Sequence, residues 1–306
     1  MALVTVCVLT YNPDWTKFRN TLKSIICQKG VDFDIVISDD GSKDNCFDKA
    51  EEYLKENNFS AYRFIANKQN QGTVKNIISA LQNVESKYIK LISPGDFLYD
   101  ETVLAKFTDF AEKNPAAAYF GNAVYYASNI NGEIKIYETL HNPKDLKPWI
   151  EKDQKKIRRN YLYRCDFILG ASLFCNKIFF ENYAKKLDGV VKYAEDMAIL
   201  LMIVDKISVL YVNQSFVFYE YGWGISTNTA TNSMVREDIT NVYNKLCVDK
   251  LIPRHLMYFR KDNSIKNRVI RFFIKLFKDP LCLVQKICPK EDYVVIDVNE
   301  SNLKLH

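Results

Sequence analysis

The chain has 306 residues, of which 48% are apolar and 26% charged, and a net charge of +5. That much apolar sequence can bury a sizeable core as one large domain, with or without an appendage. No apolar run approaches the roughly 20 residues that span a bilayer, and no internal repeat is evident, which argues against a membrane-spanning helix and a repeat array; the eight cysteines are scattered without a C-x-x-C pair, several in apolar runs (Cys7, Cys175), and read as reduced packing residues.

Leu3–Leu9 (LVTVCVL) is a short apolar run without helical period, the mark of a strand buried on both faces. It runs straight into polar Thr10–Asp14, so it is not the apolar region of a signal peptide. Pro13 ends it, because proline lacks the N–H a ladder needs. Phe18, Leu22, Ile25 and Ile26 recur at helical spacing and predict a helix over Trp15–Gln28.

Ile35–Asp44 (IVISDDGSKD) is the stretch around which the chain is organised. A second buried strand stops abruptly at the adjacent carboxylates of Asp39 and Asp40, and Gly41–Asp44 then make a turn. In an open parallel sheet, ligands bind where strands end at their carboxyl edge. Paired acids there are costly unless they hold a ligand, a metal or backbone donors. The alternative reading is a capped helix start with one spare surface Asp.

Helices over Phe47–Asn57 and Thr73–Val84 and strands over Tyr62–Ala66 and Tyr88–Ile92 continue the alternation. Lys75 and Asn76 stand in the first turn of the helix that follows Asn67–Gly72, and the strand Tyr88–Ile92 leads into Ser93-Pro94-Gly95-Asp96. Alternation at this spacing implies crossover units and a parallel sheet, with the polar loops gathered on one edge as one site. Neither G-x-G-x-x-G after the first strand nor G-x-x-x-x-G-K-[ST] occurs anywhere, so phosphates must be met by side chains or a metal.

Asp100–Asn114 reads as a helix, and Ala117–Tyr126 with Gly132–Glu138 as a hairpin turning at Asn129–Gly132. This departure from the alternation assigns the second half to a different partner from the first. His141–Asn160 is polar, basic and punctuated by proline: either a mobile loop facing an anionic ligand or a solvated surface segment. Phe167–Cys175 is a buried strand interrupted at Gly170. Tyr193–Lys206 is a helix opening on Glu195 and Asp196, acids that either cap it or work chemically. Val209–Val217 is a late strand, Tyr219–Thr227 (YEYGWGIST) has the composition of a flap, and Ser233–Asp249 is a helix.

Beyond Pro253 the composition shifts. Lys250–Lys290 carries eleven Lys and Arg against Asp262 and Asp279. Over Ser264–Lys278, Ile265, Val269, Phe272, Phe273 and Leu276 share one face while Lys266, Arg271, Lys275 and Lys278 lie elsewhere. Such a helix suits an anionic membrane surface, or packs on the body of the protein or on a second subunit, giving a homo-oligomer. No nucleic-acid-binding signature accompanies it. The three histidines (His141, His255, His306) fall outside every motif, and Asp292–His306 is too polar and short to assign.

VCVLTYN, VISDDGSKD, NQGTVKN, LISPGDFL and AED, in this order over residues 3–230, resemble the motifs of family 2 glycosyltransferases. The resemblance implies an α/β GT-A (Rossmann-like) fold with a central, mostly parallel sheet and flanking helices, over residues 1–230, followed by a C-terminal helical extension over 231–306. Residues 1–115 would form the nucleotide-sugar half and 116–230 the acceptor half. It implies inverting transfer from a nucleotide-diphosphate sugar, a UDP-sugar, to a hydroxyl of a growing, lipid-linked saccharide in bacterial surface polysaccharide synthesis, in a cytoplasmic, peripheral membrane protein.

Carried over by motif, Thr10, Tyr11 and Asn12 lie beside the nucleotide, with Asp39 on the base and Asp40 next to it. Asn70, Gly72, Lys75 and Asn76 flank the donor, as do Gly95 and Asp96. Asp96 is the ligand for Mn²⁺ or Mg²⁺, although Ser93 and Gly95 fill positions that are usually acidic. Glu195 and Asp196 are the acidic pair whose Asp is the general base. Gly170, Ala171 and Ser172 lie under the transferred sugar, with Trp223 on the acceptor side. The late loop that often supplies a metal-binding His has none here.

Overall fold

A computed structural model describes residues 2–128, 134–137, 140–224 and 231–280. The expected hairpin turn at Asn129–Gly132, the end of the flap and Asp292–His306 therefore lie outside the described residues.

The chain opens with the predicted alternation: β1 (Val4–Thr10), α1 (Trp15–Ile26), β2 (Phe33–Asp39), α2 (Phe47–Glu56), β3 (Tyr62–Ala66), α3 (Thr73–Leu81) and β4 (Tyr88–Ile92). There follow β5 (Phe97–Leu98), α4 (Val103–Lys113), β6 (Ala118–Ser128) and β7 (Ile134–Ile136). Two short helices come next, α5 (Lys147–Ile150) and α6 (Gln154–Arg159), then β8 (Leu173–Asn176), α7 (Lys177–Leu187), α8 (Met197–Val204) and β9 (Val209–Glu220). The last elements of the described residues are α9 (Asn232–Val248) and α10 (Ile265–Lys278).

One sheet runs β3-β2-β1-β4-β8-β6-β9-β5, with β7 beside β6. The first four strands are parallel, so their carboxyl ends share one edge. β8 is antiparallel to both β4 and β6, β6 and β9 run parallel, and β5 closes antiparallel on β9. The departure from pure alternation after α4 is thus real: the second half of the sheet is mixed.

The continuous apolar strands have a direct cause. In β1, Val4, Val6 and Val8 enter one core, with α1, α2 and α4, while Cys7 and Leu9 enter the other, with α3, α7, α8 and α9. A strand covered on both faces has no solvent side on which to alternate. The six described free cysteines include fully buried Cys7 and nearly buried Cys175, which act as packing residues.

Two expectations change. His141–Asn160 is no solvated loop: Pro148 lies in the first turn of α5, and Trp149 and Ile157, with Tyr161 just beyond, are buried against the main core. The basic residues dominate the composition, yet three large apolar side chains at wide spacing decide the packing. The helix expected from Tyr193 begins only at Met197, so Glu195 and Asp196 occupy the turn before it. Helix α9 buries Val242, Tyr243, Leu246 and Cys247 in the same core as the sheet and is continuous with the body.

Candidate active site

The loops after β1, β2 and β3 are tied together by the two adjacent acids. Asp39 is buried at the end of β2. Its carboxylate accepts Thr10 Oγ1 (2.9 Å), Ser42 N (2.7 Å) and Ser42 Oγ (2.5 Å). Ser42 Oγ in turn accepts Asn12 N (2.6 Å), and Asn12 Oδ1 accepts Lys43 N (3.2 Å). Asn12 holds a left-handed backbone (φ 45°), uncommon outside glycine. Asp40 reaches the other way and accepts Gln71 N (2.9 Å) and Gly72 N (2.7 Å). Burial pushes its pKa up, against the pull of those two N–H groups and of Lys192. The acid pair is therefore held by backbone donors, one of the conditions its position demands.

Of the other residues on this edge, Tyr11 is exposed, Asn70 is half-buried and Lys75 is exposed. Asn76 is buried and locked beneath the strand end: it accepts Ser38 Oγ (2.6 Å) and Asn67 Nδ2 (3.0 Å) and donates to Ser38 O (2.9 Å). Its amide positions the edge and faces no open space.

Gly72 joins this edge to the acid-bearing turn. Its φ is +94°, and a Cβ there would overlap the Lys192 side chain and lie 2.6 Å from Lys192 O. Val74 N also donates to Lys192 O (3.2 Å). Directly after Lys192, buried Asp238 of α9 accepts the N–H groups of Lys192 (3.1 Å), Tyr193 (2.6 Å) and Ala194 (3.1 Å). One carboxylate thus fixes the backbone that presents Glu195 and Asp196.

Both acids are half-buried. Burial raises both pKa values; their proximity raises that of Glu195 further, and Asp238 raises both. Asp196 stands at the start of α8 but makes no side-chain cap hydrogen bond, so the capping role is not what holds it there. A Cβ on Gly170 would lie 3.2 Å from Glu195 Oε1 and 3.5 Å from Asp196 Cβ. The Gly170–Ser172 turn therefore packs directly on the acid pair. Ala171 O accepts a hydrogen bond from Lys90 Nζ, which also donates to Leu91 O (2.9 Å). Ser172 is buried and bonds Leu169 O (2.9 Å). Lys90 is fully buried, and desolvation lowers its pKa to about 8.

Asp96 lies beyond Lys90 at the end of β4, buried. Burial, with some repulsion from Glu220, raises its pKa to about 7, opposed by the Glu220 N–H, Lys90 and Lys17. Its Oδ1 accepts Glu220 N (3.0 Å). Gly95 (φ +102°) has no room for a Cβ, which would overlap Glu220 Oε2, and its carbonyl accepts the Tyr126 hydroxyl. Both Glu220 oxygens accept Lys17 Nζ, at 2.7 and 2.8 Å. Trp223 closes the corner with its ring 3.9 Å from Lys17 Nζ, so it stands at the Asp96 corner.

The site residues expected from sequence are thus linked in space, from Asp39 and Asp40 through Gly72 and Lys192 to Glu195, Asp196 and Gly170, and through Ala171 and Lys90 on to Asp96. Sequence reasoning missed Lys17, Lys90, Lys192, Glu220 and Asp238. Lys90 had a signal, a lone charge in the apolar strand YIKLI. The other four look like ordinary surface charges until the chain is folded.

Among the described residues, no three His, Cys, Asp or Glu side chains converge as a metal centre. The corner expected to hold the metal consists of Asp96 and Glu220, and Lys17 already fills the oxygens of the second. As arranged, these residues do not fit a divalent cation.

The sequence model for glycosyl transferase family 2 matches residues 5–180. No curated protein matches the sequence. Among solved structures, S. aureus TarS 1-349 in complex with UDP-GlcNAc is similar over 99% of this chain and 81% of its own, at 14% identity and TM-score 0.54. A mannosyltransferase of Pyrobaculum calidifontis, PcManGT, solved with GDP-Man and Mn²⁺, is similar over 94% of this chain and 79% of its own, at 10% identity and TM-score 0.56. Against a longer S. aureus TarS structure (14% identity, TM-score 0.53) the match covers 80% of this chain but only 39% of that one. At these identities the likeness concerns the fold, which is GT-A. With the family match spanning β1 to the middle of α7, and the strand-end loops arranged as described, this chain belongs to glycosyl transferase family 2.

Proposed function

We propose that the chain transfers a sugar, with inversion, from a nucleotide-diphosphate sugar to a hydroxyl of a growing saccharide. The observation that carries this reading is the half-buried Glu195–Asp196 pair, held by Asp238, packed on Gly170 and linked through Lys192 and Gly72 to Asp40. Inversion needs one base. The acceptor oxygen forms a bond to the anomeric carbon as the bond from that carbon to the diphosphate breaks. The electron pair leaves with the phosphate, and the acceptor proton passes to Asp196. A carboxylate with a raised proton affinity suits that task. Asp39 and the Thr10–Asn12 loop would receive the nucleoside, and Gly170–Ser172 the underside of the sugar.

A UDP-sugar is the favoured donor, hexosyl or N-acetylhexosaminyl, because the resemblance implies it and TarS was solved with UDP-GlcNAc. The expected Mn²⁺ or Mg²⁺ finds support in PcManGT; the Lys17–Glu220 pair speaks against it. The setting we favour is bacterial surface polysaccharide synthesis at the inner face of the membrane. No described helix is long and apolar enough to cross a membrane. Helix α10, though, leaves Ile265, Val269, Phe272, Phe273 and Phe277 exposed beside Lys266, Arg268, Arg271, Lys275 and Lys278, with no acid between them. This is the composition of an anionic-surface anchor that would bring the site to a lipid-linked acceptor.

The second reading is a degenerate transferase that only binds a glycan, and the neutralised Asp96–Glu220 corner favours it. Incubation with a panel of nucleotide-sugars, following both thermal stabilisation and release of the nucleoside diphosphate, separates the two. Stabilisation with turnover supports transfer. Stabilisation without release in the presence of any saccharide acceptor supports the degenerate reading.

A further inference from the structure

The corner formed by Asp96 and Glu220 lies at the carboxyl ends of β4 and β9, on the edge where the donor loops gather. Its acids are already matched by cations from within the chain. Lys17 Nζ sits 2.7 and 2.8 Å from the two Glu220 oxygens. Lys90 is buried alongside Asp96 and is fixed by Leu91 O and Ala171 O. Glu220 cannot turn away freely, since its backbone N–H is bonded to Asp96 and its carboxylate fills the space that Gly95 leaves empty. A divalent cation drawn to these carboxylates would have to displace an ammonium that is well bonded and covered by the Trp223 ring.

Lys17 is not fully spent by this pairing. An ammonium has three N–H donors, two of which suffice for Glu220. Its side chain keeps 28% of its surface open, against 5% for Glu220. A diphosphate bound on this edge of the sheet would have that third donor to use.

We propose that Lys17 is the resident cation of this corner, so that the chain binds nucleoside diphosphates through a fixed ammonium and without a divalent ion. The inference rests on the nucleotide-sugar reading above. Glu220, itself tied to Asp96 through its backbone N–H, holds Lys17 in place, and the Trp223 ring lies 3.9 Å from its ammonium. When the sugar leaves, the growing charge on the diphosphate meets an ammonium that needs no rearrangement, the kind of preorganised stabilisation that enzymes favour.

The test is calorimetric titration of UDP and GDP into the full chain, in EDTA and in Mn²⁺. In the wild-type protein one of them binds in EDTA, and Mn²⁺ changes its affinity less than threefold. Lys17→Met lowers affinity in EDTA at least tenfold and frees the acidic pair, so that Mn²⁺ now raises affinity at least tenfold. Lys17→Arg keeps the charge and stays within about threefold of wild type. A wild-type affinity that rises tenfold or more with Mn²⁺ overturns the proposal, and so does a Lys17→Met protein that binds as wild type does. If Lys17→Met fails to fold, the wild-type comparison decides alone. Binding of neither nucleotide under either condition refutes the donor reading and this inference with it; binding only with Mn²⁺ refutes this inference and leaves the donor reading intact.

Discussion

Asp196→Asn tests the mechanism most directly. The substitution keeps the shape of the side chain and removes the charge and the basic lone pair. General-base assistance is typically worth about 10²–10⁴ in rate, so kcat should fall by that factor, equivalent to about 2.7–5.5 kcal/mol of transition-state stabilisation. Stability should move the other way. Asp196 makes no cap hydrogen bond that the amide would lose, and its folded pKa is raised by burial. A carboxyl whose folded pKa exceeds its unfolded one stabilises the fold when protonated, and that contribution is lost as pH rises through the folded pKa. The Asn protein should therefore melt at or above the wild-type temperature at pH 8 and gain nothing at pH 4. In the wild type, activity should fall on the acid side at a pH above the ordinary carboxylate range, because a protonated base cannot accept the acceptor proton. Steady-state kinetics against pH, with thermal melting on the same preparations, measure all three. An Asp196→Asn protein that melts early yet turns over normally per folded molecule refutes the assignment.

Asp39→Ala should weaken nucleotide binding by about 1.5–3 kcal/mol, a charged hydrogen-bond acceptor's worth, since it frees the Thr10 and Ser42 donors as well; unchanged affinity by calorimetry in a folded protein contradicts this. Gly72→Ala should lose both stability and donor affinity, because the new Cβ drives into Lys192 at a positive φ; a melting temperature equal to wild type contradicts it. Asp238→Asn should lower kcat and shift the acid limb of the pH profile downwards, since a negative charge beside Glu195 and Asp196 is removed; an unshifted limb assigns Asp238 to stability alone. Phe272→Asp with Phe277→Asp should abolish sedimentation with phosphatidylglycerol vesicles and leave nucleotide affinity intact. Wild-type sedimentation that does not fall with added salt counts against the anionic-surface reading.

The sequence determined those features that arise from local chemistry repeated along the chain. Unbroken apolar runs such as LVTVCVL report strands covered on both faces, because no side is left for polar residues. Their alternation with helical spacing from β1 to β4 forces parallel crossovers, and parallel strands that end at Thr10 and Asp39 or lead, as β4 does, into the loop of Asp96 must bring those residues to one edge. The adjacent acids at Asp39–Asp40 were legible as a site because a strand end cannot hold two carboxylates without donors or a ligand. The resemblance of five ordered motifs supplied Asp196 and Gly170, which lie close together in the fold: a Cβ placed on Gly170 would be 3.5 Å from Asp196 Cβ.

What only the tertiary structure decided was the electrostatics of that edge. Lys17 meets Glu220 across 203 positions and Asp238 meets Tyr193 across 45, distances over which no periodicity or turn propensity carries information. Each of these residues, taken alone, has the appearance of a solvated charge. Burial is likewise a property of the assembled fold: Trp149 and Ile157 turned a basic, proline-marked stretch into packed helices because the sheet offered a surface to cover. The cation at the Asp96 corner belongs to the same class. A missing acid at Ser93 and Gly95 was visible in the sequence, but the ammonium paired with Glu220 beside Asp96 comes from α1, and only the packing of α1 against β5 and the Gly95–Asp96 loop puts it there.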